Sequence, residues 1–208
     1  MTRPNFFIVG APRCGTTALY SYLRQHPDVF LPDHKEPHYF NTDMNSGGAI
    51  RREEEYLALF AAAKDQVRIG EASVYYLSSQ AAPGRIKIFC PAAKIIIMLR
   101  NPVDTIHALH AHQVAAWIED VWDLERALDL EEERKRGLHI PAWMNDPHKL
   151  FYRQTVDFAA QVKNYSNVFG WENLHVIIYD DFKRALRQYE VLHRAITAKR
   201  HVIDAAAR

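Results

Sequence analysis

Three short stretches of this chain carry residue types whose spacing suits chemistry on an anion. The first is Phe6-Phe7-Ile8-Val9-Gly10-Ala11-Pro12-Arg13-Cys14-Gly15-Thr16-Thr17-Ala18-Leu19, an apolar run entering a turn, after which Leu19, Tyr22 and Leu23 share one helical face. The pattern predicts buried strand, glycine-bearing loop and helix start. Gly10 and Gly15 stand at the spacing of the phosphate-binding loop G-x-x-x-x-G-K-[ST], with Thr17 at the hydroxyl position. Thr16 occupies the lysine position, and the loop's cation is Arg13. Such a loop points successive backbone N–H groups at one spot beside the positive end of a helix dipole, which favours an anion. The second stretch is Lys35-Glu36-Pro37-His38-Tyr39-Phe40-Asn41, which prolines place on a loop or strand edge. Glu36 is a candidate general base for an acceptor hydroxyl within hydrogen-bond reach. The alternative is a surface ion pair between Lys35 and Glu36. The third stretch is Ile95-Ile96-Ile97-Met98-Leu99 followed by Arg100-Asn101-Pro102-Val103-Asp104. Asn101 is the predicted N-cap, Pro102 the first helical residue, and Asp104 stands at the capping-box position. A guanidinium beside a helix N-terminus offers a place for a second anion.

The elements that must position these residues alternate. Apolar runs after Asn5, Arg68, Ala93 and Asn173 read as buried strands, separated by amphipathic helices. That predicts a three-layer α/β/α domain with a mainly parallel, P-loop-like sheet. The first helix is expected to end near His26-Pro27, with Val29-Phe30-Leu31 extended. Helices are expected over 51–63, over much of 117–136 as a solvated charged surface, and over 155–169. Segments 41–50 and 138–150 read as loops lining an acceptor cleft, the first of them flexible. His107 and His110 share a helical face with no cysteine or carboxylate to complete a metal set, so no metal site is expected.

Composition limits the alternatives. In 208 residues, 48% are hydrophobic and 25% charged, with a formal net charge of +1, so one soluble domain is expected, without nucleic acid or membrane as partner. Two cysteines are too few for a disulfide framework, and no apolar run approaches the ~20 residues needed to span a bilayer. A cytoplasmic location is the expectation that follows.

The Pro12–Leu19 loop, with Leu23 and His26-Pro27, resembles the 5′-phosphosulfate loop of sulfotransferases that use 3′-phosphoadenosine 5′-phosphosulfate (PAPS). Two more stretches are similar to the carbohydrate and heparan-sulfate branch and its bacterial relatives: the K-E-x-H-[FY]-F segment at Lys35–Phe40 and the L-R-[ND]-P segment at Leu99–Pro102. The resemblance covers roughly residues 5–184. It implies that Arg13, Cys14, Gly15, Thr16, Thr17 and Ala18 bind the donor's 5′-phosphosulfate. It implies that Glu36 is the base with Lys35 and His38 beside it, that Arg100 takes the 3′-phosphate, and that no metal is used. A G-E-x-S-x-x-Y-L segment brings Glu71 or Ser73 toward the site in relatives. This chain departs from the pattern at Asn41, where relatives often carry aspartate, and at Ala108, where they carry a serine. Residues 185–208 are expected to form a basic helix or tail, and the basic, glycine-bearing C-terminal loop of relatives is not legible there. The competing readings are a degenerate P-loop kinase or nucleoside triphosphatase, and a non-catalytic nucleotide-binding relative.

Overall fold

The computed structural model of the chain describes residues 2–187, so the expected C-terminal segment 185–208 lies outside the described residues beyond Arg187. The strands are β1 Phe6–Gly10, β2 Val29–Phe30, β3 Arg68–Ala72, β4 Lys94–Leu99 and β5 Leu174–Ile178. The helices are α1 Thr16–Leu23, α2 Glu53–Ala58, α3 Ala82–Phe89, α4 Pro102–Ala115, α5 Leu124–Asp129, α6 Glu131–Lys135, α7 Tyr152–Thr155, α8 Phe158–Phe169 and α9 Tyr179–Arg187.

Among the described residues the strands form one parallel sheet in the order β2-β3-β1-β4-β5. Phe7, Ile8 and Val9 are all fully buried. Consecutive strand side chains point to opposite faces, so helices must cover both faces of β1. Leu19 and Tyr20 of α1, Ile86 of α3 and Phe158, Tyr165 and Phe169 of α8 supply that cover, giving the expected three layers. The chain reaches β2 and returns through β3 on one side of β1, then crosses to β4 and β5 on the other. Open α/β sheets bind ligands outside the strand carboxyl ends where the order reverses in this way.

Several elements differ from the sequence reading. Helix α2 covers only Glu53–Ala58, because Arg52 is extended and the chain beyond Ala58 tightens into turns such as Phe60 N–H to Leu57 C=O at 3.1 Å. Helix α3 begins on Ala82-Pro83-Gly84, a turn signature that here serves as a helix start. Among the described residues β5 is an edge strand with His175, Val176 and Ile178 exposed, not the buried strand expected. Segment 41–50 is a loop, but a tethered one: Asp43 accepts from Ser79 and from the backbone N–H of Gln80 at 2.8 Å, and Asn41, Met44 and Ser46 are buried.

The expected solvated helix over 117–136 is the clearest correction. The chain breaks after Trp117, and α5 and α6 fold over a small second core of Leu109, Ala127 and Tyr152. The Arg134 guanidinium lies fully buried there and donates to both Glu119 carboxylate oxygens at 2.7 Å, with Tyr152 O–H at 2.8 Å and Val121 N–H at 2.9 Å completing the shell. Glu131 is also buried and accepts from the backbone N–H groups of Arg153 and Gln154. These charges are therefore structural ties rather than a wet face. Burial alone raises the Glu119 carboxyl, but its donors, Arg134 first, outweigh that and hold it below the usual range. Arg134→Met is expected to cost about 3–5 kcal/mol in urea unfolding, because it leaves a buried carboxylate unpaired, whereas pairing it with Glu119→Leu restores most of the loss. A depressed carboxyl contributes stability above its unfolded value and loses it as pH falls through the folded one, so the double variant should lack part of the wild type's acid destabilisation.

Candidate functional site

The loop after β1 bends where the sequence placed its glycines. Gly15 is the N-cap of α1 at φ 88°, and no side chain caps the helix. A Cβ there would sit 2.7 Å from the Tyr179 ring, so close packing as well as backbone sign requires glycine. The first N–H groups of α1 have no intrahelical acceptor and converge at the positive end of its dipole. Arg13 is exposed at φ 61°, Thr16 is buried and Thr17 is exposed beside it. Cys14 turns inward, its Sγ 3.7 Å from Thr105 Oγ1, and burial pushes the thiol up despite Thr105 and Arg100. Only its backbone remains available to a ligand in the loop. The Ala11 N–H donates to Met98 C=O at 2.7 Å, tying this loop to the end of β4.

At that strand end the Arg100 guanidinium lies over the Tyr179 ring, 5.2 Å from its centroid, with one nitrogen 3.5 Å from Asp104. Its Nε is buried and lacks a hydrogen-bond partner among the described residues. An orphaned guanidinium nitrogen fits the oxygen of a bound anion. Asn101 caps α4 as expected, accepting from Val103 and Asp104 N–H, while the Asp104 carboxylate is directed to Arg100. Tyr179 thus joins Arg100 to Gly15, a role the sequence did not signal, since it reads there as the last residue of an apolar run. His112, a histidine of α4 expected to be solvated or acceptor-facing, is exposed, and partial burial and then the charge of Arg13 lower its imidazole. His110, by contrast, is buried against Tyr152 and bonded to Val121 C=O at 2.9 Å, a packing role.

The second stretch crosses the end of β3. Glu36 N–H donates to Ala72 C=O at 2.9 Å, and its Oε2 accepts from Val74 N–H at 2.8 Å. Lys35 Nζ donates to Oε1, and His38 Nε2 lies 3.5 Å from Oε2. Lys35, Glu36 and His38 are therefore brought together, in a partly buried cluster rather than the alternative surface pair. Glu36 at φ 63° and His38 at φ 51° both hold left-handed backbone, uncommon for such residues and frequent at functional sites. The turn is fastened by His38 N–H to Ser73 Oγ at 3.1 Å and by Arg51 to His38 C=O at 2.6 Å. Burial lowers the His38 imidazole, Glu36 opposes this, and Lys149 adds to it. Lys149 and Asp146 act on His38, so loop 138–150 does reach this cluster. Asn41 is fully buried and turned to Ser46, away from any cleft. Glu71 and Ser73 are likewise buried behind the turn and do not open into it.

Strands β3, β1 and β4 are neighbours, so the base candidate, the glycine loop and Arg100 emerge at one sheet edge: two places for anionic groups beside a hydrogen-bonded carboxylate. Among the described residues no group of three or more His, Cys, Asp or Glu side chains is placed to hold a metal, and no helix is long and apolar enough to cross a membrane. Because burial keeps His38 neutral, its imidazole is expected to titrate below the ordinary value near 6.5 in an NMR pH series, and Glu36→Gln should lower it further by removing the opposing charge.

The sequence matches the Sulfotransferase family over residues 4–189. A sulfotransferase structure from Alicyclobacillus acidocaldarius is 36% identical, covers 98% of this chain and 82% of its own, and superposes at a TM-score of 0.84. Carbohydrate sulfotransferase 15 of Mus musculus is 33% identical over 148 residues, 50% of this chain and 26% of that protein. Heparan sulfate glucosamine 3-O-sulfotransferase 6 of the same organism is 37% identical over 100 residues, 48% of this chain and 28% of that protein. The alignments thus span about a quarter of these curated relatives. The sulfotransferase domain from the curacin biosynthetic pathway, 15% identical with a TM-score of 0.56, shares the fold.

Proposed function

The chain belongs to the sulfotransferase family, and on that premise we propose that it transfers a sulfuryl group from PAPS to a hydroxyl, or an amine, of a carbohydrate or small-molecule acceptor. The observation that carries this reading is the Glu36 carboxylate, held by Val74 N–H, Lys35 and His38 at the same sheet edge as the uncapped Gly15–Ala18 turn. The donor supplies the sulfuryl group, and the residues of this chain do the rest. Arg13, the N–H groups of Gly15 to Ala18 and the Thr16 and Thr17 hydroxyls hold the 5′-phosphosulfate; Cys14 contributes its backbone alone. Arg100 takes the 3′-phosphate with its unpartnered Nε.

Glu36 accepts the acceptor's proton as the acceptor oxygen forms its bond to sulfur and the sulfur–oxygen bond to the 5′-phosphate breaks. Arg13 and the loop N–H groups stabilise the charge gathering on the departing phosphate. Lys35 donates to the Glu36 carboxylate and holds its orientation, and a neutral His38 lies beside it without competing for the base role. The relatives named for carbohydrate and for heparan sulfate glucosamine support a sugar hydroxyl as acceptor.

Calorimetry with 3′-phosphoadenosine 5′-phosphate is expected to show binding that Arg13→Ala abolishes and that Arg100→Met weakens about 10–100-fold, the worth of a charged hydrogen bond. ADP, lacking the 3′-phosphate, should bind much less tightly; equal or tighter ADP binding returns the kinase reading. Glu36→Gln is expected to lower kcat about 10²–10⁴-fold with the nucleotide affinity retained. Unchanged turnover in that variant removes Glu36 from the chemistry.

A further inference from the structure

Beneath the Glu36 turn lies a carboxyl that the reaction does not use. Glu71, in β3, is fully buried and makes no salt bridge among the described residues; its hydrogen-bond donors are hydroxyls. Tyr56 O–H donates to Oε1 at 3.1 Å and Ser73 Oγ–H donates to Oε2 at 2.9 Å, with the Tyr76 hydroxyl close beside them. Two of these hydroxyls also meet the turn. Ser73 Oγ accepts from His38 N–H at 3.1 Å, and Tyr76 Oη accepts from Tyr39 N–H at 2.8 Å and Phe40 N–H at 3.2 Å. Three consecutive backbone amides of the turn therefore hang on two hydroxyls beside Glu71, one of which, Ser73, commits its proton to the carboxylate.

We propose, resting on the sulfuryl-transfer reading, that Glu71 is a positioning residue: its ionised carboxylate orients the Ser73 and Tyr76 hydroxyls and so fixes the left-handed turn that aims Glu36 and His38. The direction of the hydrogen bonds is the reason. A hydroxyl has one proton, and when that proton is committed to a carboxylate its oxygen is presented to an amide. Without a strong acceptor behind them, Ser73 and Tyr76 have no reason to face 38–40 with lone pairs. The three backbone N–H groups would then compete for freely rotating hydroxyls, and the strained φ values at Glu36 and His38 would lose their support.

The carboxyl is also poised to report its own state. Burial pushes Glu71 up to about 7, with Tyr76, Ser73 and Tyr56 opposing and Glu36 reinforcing the rise. The other titratable groups that feel it are Tyr20 from α1 and Tyr165 from α8. When Glu71 takes a proton, its O–H needs an acceptor among the hydroxyls around it, and a link that Tyr56 or Ser73 now donates reverses. The sign follows: the turn is tightest above pH about 7 and loosens below it.

The test measures Glu71→Gln, nearly the same shape without the charge, and Ser73→Ala, which cuts one link and leaves Glu71 intact. Amide hydrogen exchange at fixed pH above neutrality is expected to lose about tenfold protection at His38, Tyr39 and Phe40 in Glu71→Gln, and at His38 alone in Ser73→Ala, with β1 and β4 amides unchanged. In turnover assays wild-type kcat is expected to show a limb near neutrality, and Glu71→Gln should lose it, lower kcat about tenfold or more, and keep KM and nucleotide affinity within about twofold. Unaltered protection, or a uniform loss at every amide, overturns the proposal, as does a Glu71→Gln pH profile matching wild type. A wild-type chain without turnover counts against sulfuryl transfer instead, and the anchoring of the turn is then decided by the exchange pattern alone.

Discussion

Everything at the functional edge depends on β1 having neither a wet face nor a free edge. It is paired on both sides, to β3 and to β4, and covered on both faces. A strand so enclosed can leave the sheet only through backbone that fits between its neighbours. Gly10 meets that constraint: at φ 152°, a Cβ there would lie 2.6 Å from Val74 C=O and 2.7 Å from Leu77 Cβ. The same packing brings the turn after β3 against the exit of β1, through Ser73 N–H to Ile8 C=O and Leu77 N–H to Val9 C=O. Enclosure of one strand thus places the glycine loop and the Val74 N–H that grips Glu36 within one packed layer. Function at this edge is a consequence of sheet topology before it is a matter of side chains.

The electrostatics follow a division of labour. A carboxylate beside an anionic donor is unfavourable unless its charge is balanced, and Glu36 is balanced by Lys35 and a backbone N–H rather than by the cations of the donor loop. On the sulfuryl-transfer reading Arg13 and Arg100 are left for the ligand, the first exposed and the second with a nitrogen unpartnered among the described residues. The left-handed residues Arg13, Glu36 and His38 each cost on the order of 1–3 kcal/mol of local strain. That strain persists because hydrogen bonds over-determine the backbone around it. Placing it at the chemistry, and not in the sheet, keeps the reactive groups in one geometry without weakening the core.

Much of this was legible in the residues. The continuous apolar runs at 6–9 and 95–99, with no polar alternation, could only be strands covered on both faces, and they are β1 and β4. Asn101-Pro102 spelled a capped helix, and the cap forms as written. Lys35, Glu36 and His38 were grouped by proximity in sequence, and the fold kept them together. What escaped was anything set by contacts between distant segments. Arg134 lies in a run of charges that reads as a solvated helix, and nothing local shows that Glu119 and Tyr152 converge on it. Tyr179 was missed for the same reason, since it meets residues far away in sequence, and Glu71, expected to face the site, lies buried behind the turn and bonded to hydroxyls whose direction depends on the fold. Exposure of β5 was hidden because an apolar run says how a strand can be buried, not whether a neighbour arrives.

The second small core bears on the same edge from the opposite direction. Gln113 of α4 donates to Lys149 C=O at 3.0 Å, and Asn45 Nδ2, on the segment that follows the base cluster, donates to Asn145 C=O at 2.8 Å. Segment 117–153 is therefore joined to the base cluster by polar contacts, and it is itself tied together by the Glu119–Arg134 pair rather than by the sheet. Such a lobe can be rewired residue by residue without disturbing β1, β3 or β4, whereas the donor edge cannot, because there every loop is an exit from an enclosed strand. On the sulfuryl-transfer reading, the physics separates the two substrates: the donor is recognised by backbone geometry that the core enforces, and the acceptor by side chains of a lobe held on by a few buried charges. Variation in acceptor would then accumulate in 138–150 and its supports, while Gly10, Gly15 and the Glu36 turn admit almost none.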